Sequence, residues 1–163
     1  MAKVDMFLKI EGASSGPIKG EASDANHRDE IEVLAWSWGM EGNNIHGQAR
    51  ARMNMHELKI TKLVDSATTA LMSSLRNNEV LKKTVLTVRK AGGQDPVEYF
   101  RITVEKGRVT SLVAQSGEDD DPARLTEHLS IAFSKVEVEY VPQGADGVRR
   151  GAMSFLADIV EGS

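Results

Sequence analysis

The sequence predicts a single, mainly β-sheet domain, on three observations. The chain has 163 residues, which is close to the usual size of one domain and enough to bury a core without cross-links. Apolar and polar residues alternate with period two through most of the chain, as they do in strands with one buried face. Helical spacing of apolar residues occurs in one segment only. We therefore expect one domain over residues 1–163, in which strands outnumber helices.

The N-terminal part of the chain predicts two strands separated by a loop. Residues 4–10 alternate apolar with mostly charged side chains and predict the first strand. Residues 11–29 are rich in Gly, Ser, Asp and Asn, which predicts a long surface loop. In the next strand, residues 30–39, the apolar parity switches between Val33 and Leu34. Such a switch indicates either a β-bulge or a strand with two buried faces.

A polar segment runs from Gly39 to Arg52 and contains almost nothing that could pack. A long excursion of this kind usually binds something or is mobile. Strand character resumes at Met53 and continues to Ile60, with a slip in parity near His56.

One helix is predicted over about residues 65–77. Its apolar residues recur at i, i+3, i+4 and i+8 and are Ala67, Ala70, Leu71 and Leu75. Asp65 or Ser66 is the predicted N-cap, and Asn77 and Asn78 mark the end.

The rest of the chain predicts antiparallel strands. Residues 85–88 and 100–104 form a hairpin around Gly92 and Gly93. Lys106 and Gly107 predict a second, two-residue turn in which Gly107 supplies the positive φ, so that residues 108–115 fold back.

The C-terminal strands follow an acidic turn at Glu118–Pro122. Residues 129–140 predict one long or bulged strand, and residues 153–159 predict the last strand after a turn at Pro142–Gly147. Because the chain ends directly after that strand, we expect no further fused domain.

Composition excludes several functional classes. The absence of cysteine rules out a disulfide framework, a thiolate nucleophile and a cysteine-ligated zinc site. The segment Met1–Gly12 has the pattern of neither a signal peptide nor a membrane span, which predicts synthesis in the cytoplasm and no membrane insertion. A net charge of -4 and a pI near 5.6 argue against nucleic-acid binding.

Sequence signatures of an active site are also missing. The chain has no nucleophile elbow, no zinc-protease motif and no phosphate-binding loop. The histidines fall in four separate segments, and the acidic run Glu118–Asp121 lacks the ligand alternation of a calcium loop. Trp36 and Trp38 are expected to pack in the core. We predict no catalytic residue, no metal and no cofactor, and therefore a structural or interaction protein.

A series of short motifs carries a family resemblance that covers essentially the whole chain. The N-terminal motifs are Gly12, Ile18-Lys19-Gly20-Glu21, Ser23-Asp24, His27, Ile31-Glu32 and Ser37-Trp38-Gly39. The later ones are Ile60-Thr61-Lys62, Val64-Asp65, Lys135-Val136-Glu137 and Tyr140. In order and spacing they resemble the Hcp (haemolysin-coregulated protein) family, the tube subunits of bacterial type VI secretion. Two departures are Glu30, where the family often has an aromatic residue, and the inserted Ala13–Gly16.

This resemblance implies a compact β-barrel of two packed antiparallel sheets with one flanking α-helix, assembled into hexameric rings that stack into a hollow tube. It further implies a contractile sheath around the tube, a spike protein at its tip, effector proteins in its lumen, and export through type VI secretion. The segment from Gly39 to Arg52 would reach a neighbouring subunit or the adjacent ring. The contact candidates are Asn43, Asn44, His46, Arg50 and Arg52.

Three alternatives to a type VI tube subunit stay open at the level of sequence. One is the tail-tube protein of a phage or a related contractile injection system, which would show the same strand pattern. The others are a small carbohydrate-binding β-sandwich and a hydrolase with an unrecognised site. The small number of aromatic residues disfavours the carbohydrate-binding alternative.

Overall fold

A computed structural model describes residues 4–43, 52–90, 97–117, 121–142 and 151–159. These contain eleven strands and one helix. In chain order the elements are β1 (Val4–Gly12), β2 (Gly16–Ile18), β3 (Ile31–Ser37), β4 (Met40–Asn43), β5 (Arg52–Met55), β6 (Leu58–Leu63), α1 (Thr68–Arg76), β7 (Leu81–Lys90), β8 (Glu98–Gln115), β9 (Thr126–Ala132), β10 (Lys135–Tyr140) and β11 (Met153–Asp158).

Six strands close a barrel in the order β8-β7-β1-β3-β6-β9, and β9 returns to β8. All these pairings are antiparallel. β2 adds to the end of β1, while β4 and β5 form a separate two-stranded hairpin. The barrel interior is filled by branched aliphatic side chains, including Leu8, Ile31, Ile60, Leu86, Ile102 and Leu129, each at most 1% exposed. The predicted β-barrel of two packed antiparallel sheets is confirmed.

One long strand, β8, belongs to both sheets of the barrel. Residues 98–107 pair with β7, and residues 108–115 pair with β9. The bend between the two halves lies at Lys106, which has φ 54°. The predicted hairpin at Lys106 and Gly107 is therefore wrong. A tight turn and a bend both need positive φ, so the local sequence does not distinguish them.

Gly107 serves close packing instead of positive φ. A Cβ atom there would lie 3.0 Å from the carbonyl oxygen of Ala132 and 3.1 Å from Cγ2 of Ile131. With glycine, the bent strand approaches β9 this closely without displacing either atom.

Residues 129–140, predicted as one long or bulged strand, form the separate strands β9 and β10. The break comes at Phe133 and Ser134, where the N–H of Ser134 donates to the carbonyl of Glu105 at 3.2 Å. β9 then pairs with the second half of β8 and β10 with the first half. β9 and β10 are separate strands because β8 bends. The sequence of residues 129–140 carries no signal of that bend.

The parity switch in β3 is a bulge. The register with β6 shifts between Val33 and Ala35, and Leu34 is 39% exposed whereas Val33 is 7% exposed. The alternative of a strand with two buried faces is not what the structure shows. Trp36 and Trp38, on the far side of this bulge, pack against the core as predicted.

The helix α1 covers the barrel beside β8. Ala67 at the start of the helix and Leu71 on its inner face are fully buried. Its N-cap residue is Ala67, not the predicted Asp65 or Ser66, although the carboxylate of Asp65 accepts a hydrogen bond from the N–H of Ala67 at 2.9 Å. Asn77 is the C-cap, as the sequence predicts. Across the described ranges, no helix is long and apolar enough to cross a membrane.

Candidate functional site

The β4–β5 hairpin is amphipathic and carries an apolar face made of methionines. Its register places Met40 opposite Met55 and Gly42 opposite Met53, so these four residues share one face. Met40 and Met53 are 41% and 46% exposed, whereas Met55 packs partly against the core. We call Met40, Met53 and Met55 the Met face. Apart from their pairing with each other, β4 and β5 join no sheet among the described residues.

This hairpin corrects the expectation of a purely polar segment with almost nothing to pack. Both ends of the segment are strands, and Asn43 pairs with Arg52 at the last described rung. Asn44, His46 and Arg50 lie outside the described residues, so their role as contacts stays a prediction, as does that of Asn43 and Arg52. The Met face was missed by sequence reasoning, although the alternation of Met53 and Met55 was its available signal.

Aromatic packing anchors the base of the hairpin to the barrel. Trp36 stacks on Phe100 with ring centroids 5.3 Å apart, and Trp38 packs at 6.5 Å from Phe133. The N–H of His56 donates to the carbonyl of Gly39 at 2.9 Å and closes the base. The hairpin is thus held at its root, while Met40 and Met53 on its apolar face stay exposed.

A second partly exposed apolar surface lies on β10 and β11, which extend the sheet beyond the barrel and together form the wing. The register places Val136 opposite Ala157, Val138 opposite Phe155 and Tyr140 opposite Met153. Val136 is fully buried in the core, but exposure rises outward along this face, to 40% at Phe155, 44% at Tyr140 and 65% at Met153. We call Val138, Tyr140, Met153 and Phe155 the wing face.

The opposite face of the wing is polar. It carries Lys135, Glu137 and Glu139 of β10, with Leu156 the exposed apolar exception on β11. The outer edge of β11 pairs with no other strand within the described ranges. An exposed edge strand with an apolar face is a surface that soluble monomers usually avoid.

Residues 19–30, which we call the latch, pack over the outer side of β1 and β7 through an ionic cluster. The guanidinium of Arg89 donates to the carboxylates of Asp5 and Asp24 and lies 5.0 Å from the ring of Phe7. Hydrogen bonds from Arg89 and from the N–H of Asn26 lower the pKa of Asp24 to about 2. Asp24 in turn raises the pKa of Arg89.

His27 completes the latch from its other end. Its ring stacks on Phe7 at 4.4 Å, with Nδ1 3.1 Å from Glu30 and Nε2 2.7 Å from Oε1 of Glu98. These contacts make His27 a cross-link between the latch and β8.

A buried ion pair ties the barrel to the start of α1. Lys62 of β6 and Glu127 of β9 are both fully buried and in direct contact through Nζ and Oε1. The same Nζ lies 2.9 Å from Asp65 and donates to the carbonyl of Leu63 at 3.0 Å. Buried lysine and glutamate side chains can take part in proton transfer. Every described contact of Lys62, however, is with a neighbouring residue of the fold.

The described residues contain no arrangement typical of an active site. No group of three or more His, Asp or Glu side chains in them could hold a metal ion. His128 contacts Thr61 at 3.1 Å on the outer face of β6 and β9, and His56 lies 3.2 Å from Glu41. These two-residue contacts lack the third group that orients a base in nucleophilic catalysis.

Comparison with known proteins gives a consistent result. The profile of a family described as "Type VI secretion system effector, Hcp" matches residues 7–140. Protein hcp1 of Pseudomonas aeruginosa strain PAO1 is 40% identical over 152 residues, covering 91% of this chain and 90% of that protein.

Solved structures agree in fold. Hcp1 from Salmonella typhimurium has a TM-score of 0.75 at 32% identity and covers 98% of this chain and 96% of its own. A type VI secretion system effector from Yersinia pestis has a TM-score of 0.75 at 28% identity, with 94% of this chain and 99% of its own covered. With a family profile matching most of its length and a relative above 30% identity over nine-tenths of it, this chain belongs to the Hcp family of type VI secretion proteins.

Proposed function

We propose that this chain is the structural subunit of a type VI secretion inner tube, forming hexameric rings that stack into a hollow conduit. The observation that carries the proposal is the pair of exposed apolar strand surfaces on a chain that belongs to the Hcp family. A ring covers such surfaces with the next subunit, and a stack covers the ends of each ring.

The mechanism is assembly and propulsion without bond chemistry. The whole chain acts as one unit, a contractile sheath drives the tube, a spike protein caps it, and effector proteins travel in the lumen. Subunits leave the cell through the secretion system itself. Asn43, Asn44, His46, Arg50 and Arg52 are proposed to make ring or stacking contacts near the hairpin tip.

Size-exclusion chromatography with light scattering, followed by negative-stain imaging, tests the ring. We expect particles of about six subunits with a central hole, and end-to-end stacks of them at higher concentration. Particles without a hole at every concentration would overturn the proposal and favour a monomeric binding domain.

Export is tested separately in a bacterium that encodes this protein. We expect the chain in the culture medium when the sheath is intact and its retention in the cells when the sheath gene is deleted. Release that is independent of the sheath would contradict the proposed route.

A further inference from the structure

We infer that His27 is a pH-dependent cross-link, which holds the latch to β8 while its imidazole carries a proton and loosens that contact when the proton is lost. The inference goes beyond the proposed tube, because the contact lies within one subunit and needs no neighbour. It is argued from the contacts of the ring, from the charges around it and from what the latch holds in place.

Both ring nitrogens of His27 face a carboxylate. Nδ1 lies 3.1 Å from both carboxylate oxygens of Glu30, and Nε2 lies 2.7 Å from Oε1 of Glu98. An ionised carboxylate only accepts hydrogen bonds, whereas a neutral imidazole donates from one nitrogen and accepts at the other. The neutral ring would therefore turn a lone pair toward one carboxylate. The protonated ring donates to both, and each of these hydrogen bonds is strengthened by the charges on the two partners.

The ring is also fixed in the orientation that makes both contacts. It stacks on Phe7 with an angle of 7° between the two ring planes. Its side chain is 9% exposed, so little water reaches the ring to replace a lost protein partner. A neutral His27 cannot rotate away from one carboxylate without giving up this stack.

The charges around His27 leave the site acidic when the ring is neutral. Carboxylates outnumber guanidiniums there, counting the groups that contact the ring and those that reach it through Arg89. Element by element, the charged groups are Asp24 and Glu30 of the latch, Asp5 of β1, Arg89 of β7, and Glu98 and Arg101 of β8.

The guanidiniums are already engaged by other carboxylates. Arg89 donates to those of Asp5 and Asp24, and Arg101 lies 3.0 Å from Oε2 of Glu98. Within the described part of the chain, His27 is the cationic partner of Glu30, whose side chain is 15% exposed. A carboxylate with so little access to water costs free energy unless it is paired. The proton on His27 supplies that pairing.

The sign of the pH dependence follows from the proton count. The closed latch holds a proton on His27 at pH values where a free imidazole has lost its own. A state that binds more protons is favoured at lower pH. The latch should therefore be closed at about pH 6 and should open more often as the pH rises toward about pH 8, across the range in which an imidazole ordinarily loses its charge.

Loss of the proton should loosen the latch without unfolding the barrel. Whichever hydrogen bond the neutral ring keeps, the latch is no longer fixed at both Glu30 and Glu98. The pair of Arg89 with Asp24 remains, and so does the backbone hydrogen bond from Gly20 to Asp29 at 2.8 Å.

The start of the helix should respond together with the latch. Glu21 of the latch accepts a hydrogen bond from the N–H of Ser66 at 2.8 Å, directly before the N-cap residue Ala67. The latch therefore connects the proton on His27 to the first turn of α1.

Hydrogen exchange followed by mass spectrometry tests the inference on the natural chain, at a protein concentration below that needed for assembly. Exchange rates are corrected at each pH for the intrinsic rate of an unstructured peptide. For peptides covering residues 19–30 we expect the corrected rate to rise at least about threefold from pH 6 to pH 8, since one linked proton gives at most about tenfold per pH unit. Peptides covering β7 should not change. A latch with the same corrected rate at both pH values would overturn the inference.

Two variants separate the proton from a merely structural role of the side chain. His27→Gln removes the titrating group, so the latch should exchange fast at both pH values. Glu98→Gln supplies an amide that donates to Nε2 of the neutral ring while Nδ1 donates to Glu30, so the latch should exchange slowly at both pH values. Persistence of the natural pH dependence in either variant would show that His27 and Glu98 do not form the pH-dependent contact.

His128→Gln is the matched control. His128 is exposed on β9 and contacts Thr61 at 3.1 Å, away from the latch. This variant should reproduce the pH dependence of the natural chain, and circular dichroism checks that all three variants fold. A latch that no longer responds to pH in His128→Gln would assign the proton to His128 and overturn the inference.

The outcomes also separate this inference from the proposed function. A chain that forms rings but has a latch independent of pH keeps the proposed tube and loses the His27 cross-link. A chain that forms no ring, with a latch that opens as the pH rises, loses the tube and keeps the cross-link.

Discussion

At the scale of single residues, the buried pair of Lys62 and Glu127 is the feature that costs free energy to bury. Both side chains are fully buried, and Oε2 of Glu127 has no hydrogen-bond partner among the described residues. Burying two charges costs free energy of desolvation, which their mutual attraction offsets only while both are present. The pair therefore makes the folded state sensitive to the loss of either partner.

Lys62→Met should lower the free energy of unfolding by roughly 3–5 kcal/mol, because it leaves Glu127 charged and uncompensated in the core. Urea denaturation, at a protein concentration below that needed for assembly, measures the change in the free energy of unfolding. The double variant Lys62→Met/Glu127→Met should recover much of the loss, since two apolar side chains of similar length replace the pair. A single variant as stable as the natural chain would show that the pair is solvated.

The Asp24 carboxylate makes the free energy of unfolding depend on pH. Its pKa falls from 3.8 to about 2 in the folded state, chiefly through its hydrogen bond from Arg89. A depressed folded pKa stabilises fully above the unfolded value, and this stabilisation is lost as the pH falls through about 2. Asp24→Asn should therefore flatten the fall of the urea midpoint between about pH 4 and pH 2.

The matched control for this acid titration is Asp29→Asn in the same latch. Asp29 is exposed and has φ 63°, a conformation that asparagine also tolerates. It should leave the slope unchanged. Equal slopes for Asp24→Asn and the natural chain would show that Arg89 does not hold the Asp24 carboxylate in solution.

Glu79 is a second carboxylate with a lowered pKa, and it links two loops. Burial by itself would raise its pKa, but the backbone N–H groups of Ser14 and Ser15 and the hydroxyl of Ser15 donate to it and lower the pKa overall. Ser14 and Ser15 belong to the Ala13–Gly16 segment between β1 and β2. These hydrogen bonds hold that segment against Glu79.

At the scale of elements, the latch depends on one close approach. A Cβ atom on Gly20 would lie 2.7 Å from the carbonyl oxygen of Glu30 and 2.8 Å from Cα of Ile31. Both are backbone atoms and cannot move aside without shifting the start of β3. This gives a physical reason for a glycine within the Ile18-Lys19-Gly20-Glu21 motif.

Gly20→Ala should lower the free energy of unfolding by about 1–3 kcal/mol through overpacking. Gly151→Ala is the control, because nothing lies within 4 Å of a Cβ atom there. Thermal or urea denaturation of both variants measures the difference. If Gly20→Ala matches the control, the latch has room to relax and the contact is looser than described.

The strands also show which local signals are sufficient for prediction. The alternation in β1 and the helical spacing near Leu71 predicted these elements because each buries one face in its own barrel. The turn at Lys106 and the continuity of residues 129–140 were predicted wrongly, because whether a strand bends, breaks or reverses depends on the strand beside it. Positive φ was expected at Gly107 but occurs at Lys106.

At the scale of the whole molecule, the exposed Met face and wing face indicate that the isolated chain is an incomplete unit. Only folded chains can assemble in a way that covers these faces. Assembly therefore stabilises the folded state by mass action. The stability of the protein should then depend on its own concentration.

The thermal midpoint of the natural chain should therefore rise with protein concentration across the range where rings form. Phe155→Asp should have a midpoint that is independent of concentration over the same range. Differential scanning calorimetry at several concentrations measures both. A natural chain with a constant midpoint would mean that assembly adds no stability to the fold.

The sequence by itself determined the mainly β class, the single helix, the core positions and, through its ordered motifs, the Hcp family. These depend on periodicity and on residue types that lie close together along the chain. Only the tertiary structure decided that β8 bends to serve two sheets, that β9 and β10 separate, and which apolar strand faces remain uncovered. Each of those depends on contacts between distant segments, since an exposed and a buried methionine look alike in sequence until the neighbouring strand is in place.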